Sequence, residues 1–213
     1  MHNDQGNFFG QHGLWGHTDF SFPASLYETA MNIPLIVRYP GVIEEGQVSN
    51  LFIGQYDFMP TILDMAGSGV EIANSPGRSF AEHLKGSELA SWSDAVYMDQ
   101  EATRVIRTHQ YSYWKRLKGT GKNELYDMQN DPEQQHNLYE NPGYADVISE
   151  LDRRLTQSFD THSNAEYDLW RGGTVKGSTE STQVYKSLYG EQWKPESEIR
   201  PAFREMEVLS GEN

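Results

Sequence analysis

Apolar positions along the chain follow three different regimes. The sharpest is IPLIVRYPG, in which Ile33, Leu35, Ile36 and Val37 run almost unbroken until Pro40 and Gly41 close the stretch. Such a run predicts a short strand covered on both faces. Just before it, PASLYETAMN reads as a short helix with Pro23 in its first turn, where no backbone N–H is needed. After it, VSNLFIGQYDFMPTILDMAG predicts a helix capped by Asp57 and stopped by Gly67, with Ile62, Leu63 and Met65 toward the core. Strand and helix in alternation mean α/β layering.

The period changes after residue 67. DAVYMD, TRVIRT and YSYWKRL are short, alternating and separated by polar turns, which predicts an antiparallel meander. NELYDMQNDPEQQHNLYENP reads as turn-rich, and ADVISELDRRLTQSF repeats Val147, Ile148, Leu151 and Leu155 at helical spacing. A helix lying across a small sheet is the simplest packing for this stretch. Beyond residue 162 the chain is rich in Gly, Ser and charge, with scattered Trp and Tyr and no period. The expected organisation is an α/β segment over 1–67, an antiparallel α+β subdomain over 68–162 and an extended tail over 163–213.

Composition narrows the chemistry. Seventeen basic against thirty-one acidic residues leave a net charge of −14, which repels phosphate backbones and anionic lipid surfaces. Neither nucleic acid nor membrane is an expected partner, and no stretch approaches the ~20 apolar residues of a membrane span. Twelve Tyr, nine Phe and five Trp belong to a chain with a core. There is no cysteine, which excludes disulfides, thiolate zinc sites and thiol nucleophiles.

Candidate chemistry gathers in the opening, MHNDQGNFFGQHGLWGHT, where an acidic residue, three histidines and four glycines share eighteen positions. Asp4 and Gln5 set a carboxylate beside an amide oxygen. Taken alone, the pair reads as a solvated polar turn or as two oxygen donors for a hard cation. His17 reads as a loop histidine bonded to backbone, or as an imidazole placed to donate to an anionic oxygen or act as general acid.

The order of the pieces resembles the C-terminal half of a formylglycine-dependent sulfatase of the alkaline-phosphatase-like superfamily. Asp4-Gln5-Gly6, GQHGLWGHT, LYETAMNIPLIVRYPG, YDFMPTILDMAG and NELYDMQNDPEQQHNL stand in the order of that family's motifs, over roughly residues 1–160. The resemblance implies an α/β fold: the C-terminal part of the sulfatase sheet, followed by the small antiparallel α+β subdomain. It implies hydrolysis of a sulfate ester on a small molecule or carbohydrate, with a phosphomonoester or phosphonate hydrolase of the same superfamily as the alternative. A non-catalytic fragment or split-enzyme half is the other alternative.

Residue by residue, the resemblance implies that Asp4 and Gln5 ligate calcium, or magnesium in some relatives. Thirteen positions after Asp4, where many relatives carry a lysine, stands His17, the implied sulfate contact or acid. The paired aspartates that complete the metal site, and the Cys/Ser-x-Pro-x-Arg segment that yields formylglycine, are implied only in an N-terminal half outside these residues, a further expected partner. NSPGR at 74–78 puts Asn at the nucleophile's place and follows the metal motif, so it is set aside as chance. Trp15 is expected as a core or pocket-wall aromatic, and His12 as a packing residue or one that supports the site residues from behind. Glu28 is expected to hold its helix to the site loop, and Arg104 and Arg107 to form salt bridges that stabilise the meander, with contact to an anionic substrate as the alternative. Relatives are often periplasmic or secreted, but the opening shows no apolar signal core.

Overall fold

The computed structural model describes residues 5–18, 21, 23–173, 186, 187 and 189–193. A two-stranded hairpin comes first, β1 (Phe8–Phe9) and β2 (Trp15–Gly16), followed by helix α1 (Glu28–Met31). The proposed helix over PASLYETAMN is thus only its last turn. The reason is tertiary. A helix through this stretch would bond the Ala24 carbonyl to the Glu28 N–H, and both groups are already taken. The Ala24 carbonyl accepts from Thr103 Oγ1 at 3.0 Å and Arg116 Nη1 at 2.6 Å, while the Glu28 N–H donates to Gln134 Oε1 at 2.7 Å.

IPLIVRYPG does not form the covered strand that its pattern predicts. Leu35 makes an isolated bridge, and Ile36 and Val37 are 61% and 37% exposed. A run of this composition needs neighbours on both edges and both faces, and the two sheets among the described residues are built from other segments. The exposed large hydrophobics cluster in this part of the chain, from Phe9 to Ile72, with Tyr167 the exception.

Helix α2 (Phe58–Met65) forms where expected, and Gly67, with φ of 65°, ends it. Its fully buried residue is polar, while Leu63 and Met65 are half-buried. Thr61 is buried, donating to the Asp57 carbonyl and accepting from the Phe80 N–H at 3.0 Å, while Ile62 is 61% exposed. Asp57 caps the turn before the helix instead of the helix itself. Its carboxylate accepts from the N–H groups of Gly54 at 2.8 Å and Arg78 at 2.9 Å. A short helix α3 (Ala81–Leu84) follows.

This crossing explains NSPGR in packing terms. A Cβ on Gly77 would lie 1.9 Å from the Tyr56 carbonyl oxygen. Gly77→Ala is therefore expected to destabilise the protein by about 3 kcal/mol, the upper end for overpacking, because the obstacle is backbone and cannot rotate away. Chemical denaturation of the two proteins measures this, and an unchanged midpoint would show that the segments do not cross so closely.

The centre of the structure is a four-stranded antiparallel sheet in the order β3 (Ala95–Gln100), β4 (Thr103–Thr108), β5 (Tyr111–Arg116), β6 (Glu124–Asp127). The first three strands match the three alternating segments. The fourth comes from the stretch read as turns, where Tyr113 pairs with Leu125 and Ser112 with Tyr126. Helix α4 (Ala145–His162) crosses one face, and Leu151 and Leu155 pack on Ile106, Tyr113 and Leu125. The other face is covered too: Leu26, Tyr27 and Met31 pack on Val105, Trp114 and Tyr126. Two covered faces explain why β4 and β5 are buried almost throughout despite their alternating sequence. At the end of the sheet, Leu169 and Trp193 close over Ala102 and Leu117.

Candidate active site

The hairpin organises the opening motif. Pairing of Phe8 with Gly16 turns the chain back on itself, so that Gln5 and His17 leave from the same open end. Asp4 and His2 lie outside the described residues. Left-handed backbone at Gly10, His12 and Gly13 makes the reversal, with φ of 102°, 56° and 74°. Gly10 also receives the close approach of the Trp15 ring.

Three contacts dock the hairpin on the body. The Gly6 N–H donates to the Ala30 carbonyl at 2.8 Å, so tightly that a Cβ on Gly6 would sit 2.8 Å from the Thr29 oxygen. Phe8 is buried and meets Tyr27 edge-on. His12 stacks flat on Tyr27, with centroids 3.6 Å apart. Burial pushes the His12 imidazole below its ordinary pKa, opposed by the nearby Asp131, Glu133 and Glu124 charges. His12 is thus a packing residue. Trp15 is not a core residue: it is 70% exposed, beside the equally exposed Phe9 across the hairpin. Two residues per strand bury only one side, and Phe8 takes it.

His17 follows β2 directly and is half-buried. Its neighbour Thr18 is buried, with Oγ1 reaching Gln100 Oε1 at 3.5 Å and its carbonyl accepting from the Ser25 N–H. The backbone at His17 is thereby anchored to the edge of the large sheet.

Glu28 holds its helix to that sheet rather than to the hairpin. Its carboxylate accepts from Arg107 Nε at 2.9 Å and Nη2 at 3.2 Å, a two-point pair. Arg104 pairs with Asp168 at 2.8 Å and Asp99 at 3.2 Å, so both arginines make the expected salt bridges. Sequence reasoning missed Gln134, which is buried and supplies the acceptor for the Glu28 N–H. The available signal was its place in NELYDMQNDPEQQHNL, one of the stretches that carry the family resemblance. A continuous line of contacts therefore runs from Gln134 and Arg107 through Glu28 and Ala30 to Gly6, beside Gln5.

Among the described residues no group of three or more His, Asp or Glu side chains could hold a metal ion. Gln5 carries one amide oxygen, where calcium takes six to eight oxygens, so the described donors do not by themselves make a shell.

Residues 13–161 match the family model described as N-sulphoglucosamine sulphohydrolase, C-terminal. The chain belongs to this sulfatase family. Its match to an N-acetylglucosamine-6-O-sulfatase of Bacteroides thetaiotaomicron is 32% identical over 168 residues, covering 73% of this chain and 29% of the relative. An ulvan-active sulfatase of Formosa agariphila is 29% identical over 160 residues, covering 58% of this chain and 32% of the relative. Among solved structures, BT4656 in complex with its substrate D-glucosamine-2-N,6-O-disulfate superposes with a TM-score of 0.65 at 29% identity, over 76% of this chain and 33% of that one. The phosphonate monoester hydrolase of Agrobacterium radiobacter shares the fold, with a TM-score of 0.64 at 21% identity over 76% of this chain and 34% of that one. The chain spans about a third of the length of these relatives. It is a C-terminal sulfatase region of the alkaline-phosphatase-like fold, with mixed α/β structure and antiparallel sheets.

Proposed function

We propose that this sulfatase region forms the C-terminal share of an enzyme that hydrolyses sulfate esters of carbohydrates. The family match over residues 13–161 carries the reading. Support for a carbohydrate comes from the relatives named for N-acetylglucosamine-6-sulfate chemistry and from the neighbour solved with a sulfated glucosamine.

In this proposal His17 contacts the transferred sulfate or protonates the leaving oxygen. Its backbone is set between β2 and the anchored Thr18, and such pre-positioning is what a proton donor needs. Asp4 and Gln5 supply two oxygens to calcium, or to magnesium, with further ligands from outside this chain. The ion would neutralise charge developing on the sulfate oxygens. Gly6, held on Ala30, fixes the place from which Gln5 reaches. The nucleophile comes from outside the chain, since it has no cysteine and no serine in a Ser-x-Pro-x-Arg setting.

The test replaces the C-terminal stretch of the Bacteroides relative with this chain and assays N-acetylglucosamine-6-sulfate beside an aryl sulfate and a phosphonate monoester. Calcium-dependent release of sulfate is expected from the chimera and not from the 213 residues alone. His17→Ala in the chimera should lower turnover by roughly 10²–10⁴-fold, the loss associated with a positioned acid. A cooperatively folded chimera that releases no sulfate, or that prefers the phosphonate, overturns the reading. Turnover indifferent to His17→Ala across the pH range removes that residue from it.

A further inference from the structure

On the α4 side of the sheet, away from the hairpin, lies a cleft of about 510 Å³. That is within the ~300–1,000 Å³ usual for small-molecule sites. Its floor is Ala95 and Tyr97 of β3. Arg154, Ser158 and Thr161 of α4 form one wall, and the crossing of Tyr56 with Arg78 forms the other. The candidate active-site segments pack on the opposite face, where Leu26 and Tyr27 lie against Trp114. The two regions are therefore separated by the thickness of the sheet.

Two arginines, Arg78 and Arg154, line this cleft in a chain whose net charge is −14. Arg78 makes no ion pair among the described residues. Its Nη1 donates to the Ser91 carbonyl at 3.0 Å, and its guanidinium lies 4.4 Å over the Trp92 ring. Arg154 is paired with Asp94, whose side chain is 63% exposed at the rim. The carboxylate lining the cleft, Asp57, is buried and already accepts two backbone N–H groups. Tyr56 adds an aromatic face and is held by the Tyr97 N–H at 3.3 Å. Burial pushes its phenol up to about 12, so it stays neutral. Hydroxyls of Ser93, Ser158 and Thr161 complete the lining.

Two arginines with an aromatic face and several hydroxyls suit one ligand chemistry: a polyol carrying a single tetrahedral oxyanion. We propose that this cleft binds a sugar residue bearing a sulfate or phosphate group, as a second saccharide site remote from the hairpin. The choice of a sulfated sugar as first probe rests on the carbohydrate reading above, but binding needs no turnover and is tested independently of it.

The experiment titrates the isotope-labelled chain with N-acetylglucosamine-6-sulfate, N-acetylglucosamine-6-phosphate, N-acetylglucosamine and inorganic sulfate, following amide shifts and heats of binding. A saturating response is expected from one or both charged sugars, centred on Tyr97, Ser158 and Thr161. The neutral sugar and the free ion should bind at least about tenfold more weakly, as loss of a charge-assisted contact predicts. Arg78→Gln and Arg154→Gln should each weaken the charged sugar by about tenfold or more. Ser158→Phe, which fills the cleft without removing charge, should also abolish binding, and it carries the test should either arginine variant melt below its parent. Response to the sulfated sugar alone, or to the phosphorylated one alone, identifies which ester the site takes. Equal response to the neutral sugar, no response at all, or shifts confined to residues 8–17 overturns the proposal. In the last case the active-site reading stands while this one falls.

Discussion

Leu151→Asp is expected to remove most of the stability of the described structure. Leu151 is 4% exposed at the middle of α4, against Ile106, Tyr113 and Leu125 of the sheet. Truncating a buried leucine costs about 2–5 kcal/mol through lost transfer energy and the cavity left behind. The aspartate adds a carboxylate with no partner in that apolar layer, or else takes up a proton to avoid ionising there. Losses above about 4 kcal/mol are large against a total of about 5–15 kcal/mol for a domain. Leu151→Met is the control, since a volume-conserving swap costs less than about 1.5 kcal/mol. Urea unfolding followed by circular dichroism should show the Asp variant unfolded or nearly so and the Met variant close to the parent. Equal midpoints for all three would mean that α4 does not pack through Leu151.

Asp168→Ala is expected to cost about 3–5 kcal/mol, the range for removing one partner of a buried ion pair. The Asp168 side chain is 1% exposed and accepts three hydrogen bonds: from Arg104 Nη2 at 2.8 Å, Ser163 Oγ at 2.7 Å and the Trp170 N–H at 2.9 Å. Arg104 is itself 9% exposed in its side chain and lies between the rings of Phe159 and Trp170. Alanine leaves that cation buried with only Asp99, which is 36% exposed. Asp168→Asn keeps the shape and two acceptors' worth of bonding, so the difference between the two variants reads the charge.

The pH dependence has a fixed sign. Burial alone would raise the Asp168 pKa, but bonding from Ser163 and Arg104, with the Arg104 charge, holds it below the ordinary carboxylate range. Its contribution is therefore complete above the unfolded value of ~3.9 and is lost as pH falls through the lower folded value. The stability gap between parent and Asp168→Asn should shrink as pH falls below about 4. A gap that widens in acid would contradict the assignment.

Much of the architecture was legible because its signals are local. DAVYMD, TRVIRT and YSYWKRL alternate as strands do, and three strands lie there within a residue at each end. ADVISELDRRLTQSF repeats at 3.6 residues, and α4 buries the Leu151 and Leu155 that the repeat picks out. Gly67 ended α2 as a glycine can, by taking positive φ. The fourth strand was hidden by its context. ELYD is four residues long and sits among turn formers, so what makes it a strand is the open edge of β5.

The opening motif was legible as chemistry and not as geometry. Its residues show which side chains are together in the chain, while the pairing of Phe8 with Gly16 shows which end they leave from. Trp15 illustrates the gap: an indole is expected inside, and a two-residue hairpin gives the inside to Phe8 instead.

What the sequence determined by itself was everything carried by period, charge and turn chemistry: the meander, the long helix, a net charge of −14 and the absence of a thiol nucleophile. What only the tertiary structure decided was where a backbone group finds a better partner than its own neighbour. Ala24 and Glu28 stand four residues apart and could close a helical turn, as their composition suggests. The Ala24 carbonyl goes to Thr103 and Arg116 instead, and the Glu28 N–H goes to Gln134. A buried donor and acceptor must each be satisfied, but the choice of partner belongs to the packed sheet. Sequence spacing fixes which bonds are possible. The competition among them is settled by residues some eighty to a hundred positions away.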